Sequence, residues 1–245
     1  LRGLYDHLLP SGFQVVVLSS RYSPTEEENA IRTLLGQHIE AIIVAGIDQS
    51  PKGRSLLENS RVPVVQTFEL ADDPIDINVG LSQKEAGYRA TRFLLEQGHR
   101  RVGYISGNLD SRARARLIGF ERAMREFGLD PEGMSESLPP QSSVPLGREL
   151  LANLVGRHPD LEAVFCCDDN LSLGALFECQ RRQISVPRDL AIVGFNDLEY
   201  MESAVPSLTS VRTNRYEMGR HAISMVIDAI EGRRPQESVL DLGFQ

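Results

Sequence analysis

Short apolar runs alternate with segments of helical periodicity along almost the whole sequence. The runs that predict strands cover residues 13–18, 41–45, 62–66, 75–79, 102–105, 163–167, 190–193, 208–211 and 238–242. Most of them are separated by a stretch whose apolar residues recur three or four positions apart, which is typical of an amphipathic helix. Because strand–helix–strand units join parallel strands through right-handed crossovers, this alternation predicts an α/β fold with parallel sheets.

The composition narrows the classes of protein that fit. A formal net charge of -8 leaves this chain without a basic footprint for nucleic acid. No apolar run approaches the roughly 20 residues of a membrane-spanning helix, and residues 1–10 lack the features of a signal peptide. The three cysteines, of which Cys166 and Cys167 are adjacent, suit free thiols better than a disulfide framework. We therefore expect a cytoplasmic protein without membrane contact.

Residues 107–120 place three arginines in the first two turns of a predicted helix that Asp110 is suited to cap. The helix dipole disfavours cations there, and Arg112 and Arg116 are like charges four positions apart. Each penalty is a few tenths of a kcal/mol to about 1 kcal/mol. An anionic ligand would offset these penalties, and the alternative is a solvated basic helix start balanced by acidic neighbours.

Polar and aromatic residues follow several predicted strands, where ligands bind in open parallel sheets. These residues are Gln66 to Glu69, Asn78, Ser82, Gln83, Asn108, Asp110, Asp168 to Asn170 and Gly194 to Asp197. Any single one of them could instead cap a helix or a turn, as Asp168 would for a helix near Leu171. Together, with Phe68 and Phe165 as flat walls, they favour a site for a polyhydroxylated small molecule. Arg116 would bind a carboxylate with its two-pronged guanidinium group, and Asp168 would accept hydrogen bonds from hydroxyls.

The signatures of common enzymes are missing from the sequence. It contains no G-x-G-x-x-G, Walker A, G-x-S-x-G or H-E-x-x-H motif, and its five histidines have no metal-ligand spacing. We therefore predict no catalytic residues, no metal site and no cofactor. An enzyme built on a doubly wound fold is the disfavoured alternative.

Several blocks of the sequence resemble the effector-binding core of the lactose-repressor (LacI) family. They are Gly-His-Arg-Arg-Val-Gly-Tyr-Ile at 98–105, Arg-Leu-Ile-Gly-Phe at 116–120, Ala-Val-Phe-Cys-Cys-Asp-Asp at 163–169, Val-Pro-Arg-Asp-Leu-Ala-Ile-Val-Gly-Phe-Asn-Asp at 186–197 and Pro-Ser-Leu-Thr-Ser-Val at 206–211. The resemblance spans essentially the whole chain. Residues 21–28, 73–76 and 110–114 further resemble the gluconate-operon repressors of that family.

The resemblance implies two doubly wound parallel-sheet lobes of the periplasmic-binding-protein-like type I, joined by three crossovers near Ser82, Thr213 and Glu237. The N-terminal lobe would comprise 1–81 with 214–236, and the C-terminal lobe 82–213 with 237–245. A helix-turn-helix head that binds operator DNA would precede this core. We expect that head and the first strand to be missing from this chain, and we expect assembly into a homodimer or tetramer.

The resemblance also assigns roles to individual residues. The family's effector arginine falls on Arg116, its sugar-contacting Asn on Asp168, and the Asp of its Gly-Tyr-Asp-Asp block on Asn196. The full predicted effector-binding set is Arg116, Asp168, Asn196, Phe165, Phe68, Glu69, Ser82, Arg112 and Ser142. Two departures from the family pattern oppose each other, since Asn196 removes a negative charge and Asp168 adds one.

The sequence thus predicts the ligand-sensing core of a LacI-type transcriptional regulator, specifically a repressor. Its effector would be a small sugar or sugar acid, such as gluconate or its phosphate, bound between the lobes. The alternative is an extracytoplasmic solute-binding protein of a sugar transporter, which shares the two-lobe fold. The absence of a signal segment and the adjacent free cysteines argue against that alternative.

Overall fold

The computed structural model describes residues 1–139, 141–233 and 237–245, and in it the chain forms two compact units. The first unit comprises Leu1–Ser82 with Asn214–Gly243, and the second comprises Gln83–Thr213 with Phe244–Gln245. Each unit contains a parallel sheet and helices. This architecture confirms the predicted α/β class with two parallel-sheet lobes.

The helices are α1 (Arg2–Leu8), α2 (Pro24–Leu35), α3 (Pro51–Glu58), α4 (Gln83–Glu96), α5 (Ser111–Glu126), α6 (Val144–Arg157), α7 (Asp169–Arg182), α8 (Glu199–Ser203) and α9 (Arg215–Ile230). The strands are β1 (Ile42–Ala45), β2 (Val64–Glu69), β3 (Ile77–Leu81), β4 (Val102–Ser106), β5 (Ser135–Ser137), β6 (Ala163–Cys166), β7 (Ala191–Asn196), β8 (Thr209–Arg212) and β9 (Val239–Asp241). The first unit's sheet has the order β1-β2-β3-β9, and the second unit's sheet has the order β5-β4-β6-β7-β8. Neighbouring strands in both sheets run parallel.

The sheet of the first unit is held by the apolar faces of α2 and α3. Ile31 of α2 and Leu57 of α3 are buried in one cluster with Ile42, Val44 and Val64 of β1 and β2. Each fully buried aliphatic side chain of this kind contributes about 1.5–3 kcal/mol relative to an exposed one. The helical spacing read from the sequence therefore marks the faces that pack on this sheet.

An aromatic core lies behind the carboxyl edge of the second unit's sheet. Tyr104 of β4, Phe165 of β6 and Phe195 of β7 are fully buried. The ring centroids of Tyr104 and Phe165 lie 5.5 Å apart, and those of Phe165 and Phe195 lie 6.4 Å apart. Phe120 of α5 adds a fourth ring 5.7 Å from Tyr104. These contacts fix α5 against the sheet, so the side chains at the start of α5 stand over the strand ends.

The predicted strand at residues 13–18 is wrong. These residues adopt no strand, and Val16 and Val17 are 59% and 56% exposed. A parallel strand exists only where a neighbour completes its hydrogen bonds, and within the part of the chain described here no strand pairs with this run. An apolar run that predicts a strand therefore does not supply the pairing that a strand requires.

The C-terminal segment belongs largely to the first unit, which corrects the expected assignment of residues 237–245 to the second. Strand β9 pairs with β3, and Val239 stands beside Asn78. The third passage between the units follows Gly243 rather than Glu237. Phe244 then forms an antiparallel β-bridge with Thr213, and both residues belong to the second unit. Part of the predicted segment 214–236, namely residues 234–236, lies outside the described residues.

Candidate functional site

Helices α4 and α5 approach each other at backbone distance because glycines stand where they cross. A methyl group at Gly87 would overlap the backbone oxygen of Arg116, and one at Gly119 would overlap the backbone oxygen of Lys84. Only glycine fits such a contact without displacing a helix. The crossing therefore fixes Arg116 beside the first turn of α4, at the carboxyl edge of the sheet.

The side chain of Arg116 is buried, with a residue exposure of 9%. Its Nε donates a hydrogen bond to Oε1 of Gln83 at 2.9 Å, and its Nη1 donates to the backbone oxygen of Cys167 at 2.8 Å. The same Nη1 lies 3.3 Å from Sγ of Cys167. The guanidinium carbon lies 3.8 Å from the centre of the Phe195 ring. Each of these partners is neutral.

Arg116 differs in this respect from Arg112, one turn earlier on α5. Arg112 forms an ion pair of 2.9 Å with Asp110, whose Oδ1 also caps the helix by accepting from the Ala113 N–H at 2.8 Å. Among the residues that the structure describes, no carboxylate lies within ion-pair distance of Arg116, and its Nη2 has no hydrogen-bond partner. An acidic neighbour therefore balances the charge of Arg112, as one interpretation of the sequence predicted, but none of the described residues does so for Arg116. A buried cation without a counter-charge is costly, and an anion at Nη2 would offset that cost.

Asp168 follows β6 and caps α7. Its Oδ1 accepts hydrogen bonds from the N–H groups of Asn170 at 2.8 Å and Leu171 at 3.1 Å. The capping interpretation is therefore correct for this oxygen. Capping uses one carboxylate oxygen, so the second remains available to accept hydrogen bonds from a hydroxyl.

Asp169 has a structural role in the sheet of the second unit. It is fully buried, and it accepts hydrogen bonds from Oγ of Ser210 at 2.7 Å and from the Leu198 N–H at 2.6 Å. Burial raises the pKa of Asp169 to about 6, although these hydrogen bonds oppose the increase. Asp169 thus ties the chain after β7 to β8.

Asn196 and Asp197 end β7 with an unusual backbone conformation. Their φ angles are 107° and 55°, a region that favours glycine and strains other residues. Oδ1 of Asn196 accepts a hydrogen bond from Oγ1 of Thr213 at 3.4 Å, and Asp197 forms an ion pair of 2.6 Å with Arg212. Since β4, β6 and β7 are neighbours in one parallel sheet, Arg116, Asp168 and Asn196 lie at the same edge.

Phe165 does not form the flat aromatic wall of the site that the sequence predicts. It is fully buried and packs between the rings of Tyr104 and Phe195, because β6 lies inside the sheet between β4 and β7 and all four of its residues are buried. The aromatic surface beside the guanidinium group belongs to Phe195 instead. Its position at the end of an apolar strand was visible in the sequence, but its contact with Arg116 was not.

The remaining predicted residues are distributed over both units. Phe68, with a φ angle of 77°, and the buried Glu69 end β2 of the first unit, and the half-buried Ser82 is the last residue of that unit's first segment. Ser142 is half-buried in the loop before α6, whose first turn is capped by Ser143. Sequence reasoning missed the roles of Gln83 and Cys167, since helix crossing and strand position bring them to Arg116.

Comparison with known proteins identifies the class. A family model described as a periplasmic binding protein-like domain matches residues 91–243. The HTH-type transcriptional regulator GntR of Pseudomonas aeruginosa is 37% identical over 246 residues, which cover 100% of this chain and 71% of that protein. The chain belongs to the LacI family of transcriptional regulators, which confirms the resemblance drawn from its sequence.

Two solved structures share the fold over nearly the whole chain. The transcription regulator GntR from Chromobacterium violaceum superimposes with a TM-score of 0.95 at 34% identity, covering 99% of this chain and 89% of that chain. A LacI family transcriptional regulator from Silicibacter pomeroyi superimposes with a TM-score of 0.92 at 28% identity, with the same coverage of 99% and 89%. The relatives are regulators, so the solute-binding alternative is not favoured.

No helix in residues 1–139, 141–233 and 237–245 combines the length and apolar character needed to cross a membrane. In the same ranges, no group of three or more His, Cys, Asp and Glu residues is arranged to hold a metal ion.

Proposed function

We propose that this chain senses a small sugar acid such as gluconate, and that the carboxylate of the ligand binds Arg116. The observation that carries this proposal is a buried guanidinium group whose described partners are all neutral. A carboxylate placed at Nη2 would supply the missing counter-charge through a charge-assisted hydrogen bond. The resemblance to the gluconate-operon repressors supports the same class of ligand.

The polyol part of the ligand would contact Asp168 and Asn196 at the same edge. Asp168 does not cancel the charge of Arg116 in this arrangement. Its Oδ1 already binds two N–H groups at the positive end of α7, which partly neutralises the carboxylate. The opposing charges that the sequence left undecided therefore leave a net preference for an anion near Arg116.

The response to the ligand would be a change in operator binding. We propose that a helix-turn-helix preceding this core contacts the DNA, and that the protein acts in the cytoplasm as a repressor assembled into a homodimer or tetramer. Gluconate would shift the protein toward the state that binds it more tightly, by no more than the difference in its affinity for the two states. The proposed activity is binding without turnover of the ligand.

A thermal-shift panel tests the ligand class. The panel contains gluconate, 6-phosphogluconate, glucose and hypoxanthine, each tested against the wild-type chain and Arg116→Ala. A ligand at about 100 times its Kd adds roughly 2.7 kcal/mol of stability, so we expect a higher melting temperature with gluconate for the wild type alone. Arg114→Ala is the matched control, because Arg114 is exposed on the same helix and donates to the Leu109 oxygen at 2.8 Å.

The outcomes separate the alternatives. Stabilisation by glucose or hypoxanthine without gluconate would keep the family and reject the sugar acid. Stabilisation by 6-phosphogluconate alone would identify the phosphate as the recognised anion. An undiminished gluconate shift in Arg116→Ala would remove Arg116 from the site.

A further inference from the structure

Gln83 is the residue that orients Arg116. It is the first residue of α4 and is 5% exposed. Its Oε1 accepts the hydrogen bond from Nε of Arg116 at 2.9 Å. The opposite side of the guanidinium group is held by the backbone oxygen of Cys167 at 2.8 Å. Two neutral oxygens thus fix the plane of the guanidinium group.

The helix crossing explains why Gln83 reaches Arg116. Gly87 contacts the backbone of Arg116, and Gln83 precedes Gly87 by one helical turn on the same face of α4. Gly119 contacts Lys84 and Tyr88 on the other side of the crossing. Because these contacts are made by backbone atoms, the two helices have little freedom to slide, and the side chain of Gln83 is directed at Nε of Arg116.

The choice of a neutral residue at this position has a chemical consequence. The first turn of a helix favours an acidic side chain, and a glutamate at position 83 would also form an ion pair with the buried Arg116. Both effects would stabilise the empty protein. A glutamate would, however, supply the counter-charge permanently and leave no charge for a ligand to satisfy. Glutamine keeps the geometry of the hydrogen bond and leaves the charge of Arg116 uncompensated.

We propose that Gln83 is a positioning residue that makes the site selective for anionic ligands, because it orients Arg116 through a neutral acceptor. This inference rests on the proposed function, since it assumes that Arg116 binds the carboxylate. It adds that the charge of the residue at position 83 sets the discrimination between a sugar acid and its neutral analogue.

The test uses calorimetry with gluconate on the wild-type chain, Gln83→Glu, Gln83→Met and Gln97→Glu. Gln97→Glu is the matched control, because it adds the same charge at an exposed position just after the end of α4. We expect Gln83→Glu to weaken gluconate binding by about 30-fold or more, since a charge-assisted hydrogen bond is lost. Gln83→Met leaves position 83 neutral, so the charge of Arg116 stays uncompensated, but it removes the acceptor of the Nε hydrogen bond. We expect its affinity for gluconate to fall by about 3- to 10-fold. Gln97→Glu should bind as the wild type does.

The melting temperature without ligand separates positioning from general damage. We expect Gln83→Glu to melt at or above the melting temperature of the wild type although its affinity for gluconate is lower. A damaged fold would lower both the melting temperature and the affinity. Gluconate binding by Gln83→Glu within threefold of the wild type would overturn the inference and leave the proposed function standing. If Gln83→Glu does not fold, undiminished binding by Gln83→Met would overturn it. A wild type that binds glucose but not gluconate would instead refute the proposed function, and the inference with it.

Discussion

Arg116 and Glu178 are both buried in the second unit, but their surroundings are opposite. Glu178 of α7 has a side chain that is 8% exposed, and the guanidinium nitrogens of Arg148, Arg181 and Arg182 lie 3.7, 3.6 and 2.7 Å from its carboxylate. Arg116 is buried to a similar degree but contacts only neutral groups among the described residues. Glu178 has three cations beside it, whereas no counter-charge for Arg116 is found in the described part of the chain.

The difference shows that burial of a charge does not by itself mark a functional site. A buried charge with its partners in place belongs to the structure, because separating the pair would cost several kcal/mol. A buried charge that the fold orients and leaves without an ionic partner is costly in the empty protein, which is the basis for proposing Arg116 as the ligand's partner.

Asp169 is a third buried charge, and its stability effect should depend on pH. Burial raises its pKa from 3.8 to about 6, so the folded chain binds a proton more tightly than the unfolded chain between these values. The contribution of Asp169 to stability is therefore greatest below about pH 4 and falls as the pH rises to 6, by up to about 3 kcal/mol. Asp169→Asn should remove this fall when the free energies of unfolding of both chains are measured between pH 4 and 7. A difference between them that stays constant over this range would contradict the assignment.

Replacement of Arg116 by methionine should abolish stabilisation by gluconate and leave the empty fold almost intact. At a ligand concentration of about 100 times the Kd, the lost stabilisation is about 2.7 kcal/mol. The free energy of unfolding without ligand should change by less than about 1 kcal/mol, because removing an uncompensated buried charge offsets the lost hydrogen bonds. Urea unfolding with and without gluconate measures both quantities. A large loss of stability in the empty chain would mean that Arg116 is structural.

Glu178→Gln should behave in the opposite way. We expect a loss of about 2 kcal/mol of stability, below the usual cost of breaking a buried pair because the three arginine side chains are 39–64% exposed and screened by solvent. Gluconate affinity should not change. The same urea series measures the loss, and weakened gluconate binding without a loss of stability would contradict the structural role of Glu178.

Arg112→Ala should have the smallest effect. Its ion pair with Asp110 is already formed, and both side chains keep about a fifth of their surface exposed, at 20% and 18%. We expect a stability loss below about 1 kcal/mol and gluconate affinity within threefold of the wild type. A loss of gluconate affinity as large as that in Arg116→Met would show that both arginines contact the ligand.

The sequence predicted the parts of this molecule that depend on local pattern. The alternation of strands and helices, the caps at Asp110 and Asp168 and the prominence of Arg116 all follow from residues close together in the chain. Strand pairing did not follow from local pattern. Residues 13–18 have the apolar pattern of a strand but no neighbouring strand among the described residues. Val239 joins the first unit's sheet through Asn78 of β3, which lies about 160 positions earlier along the chain. Pairing between distant segments is not encoded in the pattern of either segment alone.

In the candidate site, too, local sequence pattern predicted some features and contacts between distant segments determined the others. The sequence identified the edge of the sheet and the charged residues on it, but it could not identify which side chains surround Arg116. Gln83 reaches the guanidinium group from the start of α4, Cys167 from the residue after β6, and Phe195 from β7. Their convergence depends on the glycines at the helix crossing and on which face of each strand a residue occupies. The same geometry places Phe165 in the core rather than at the surface.

The affinities for gluconate and gluconamide show whether Arg116 selects an anionic ligand. The two molecules share the polyol chain and differ in the charge that Arg116 is proposed to bind. Calorimetry on the wild type should show gluconate binding about 30-fold tighter or more, and that preference should disappear in Arg116→Met. Equal affinity of the wild type for the two molecules would contradict the claim that an uncompensated arginine selects the ligand.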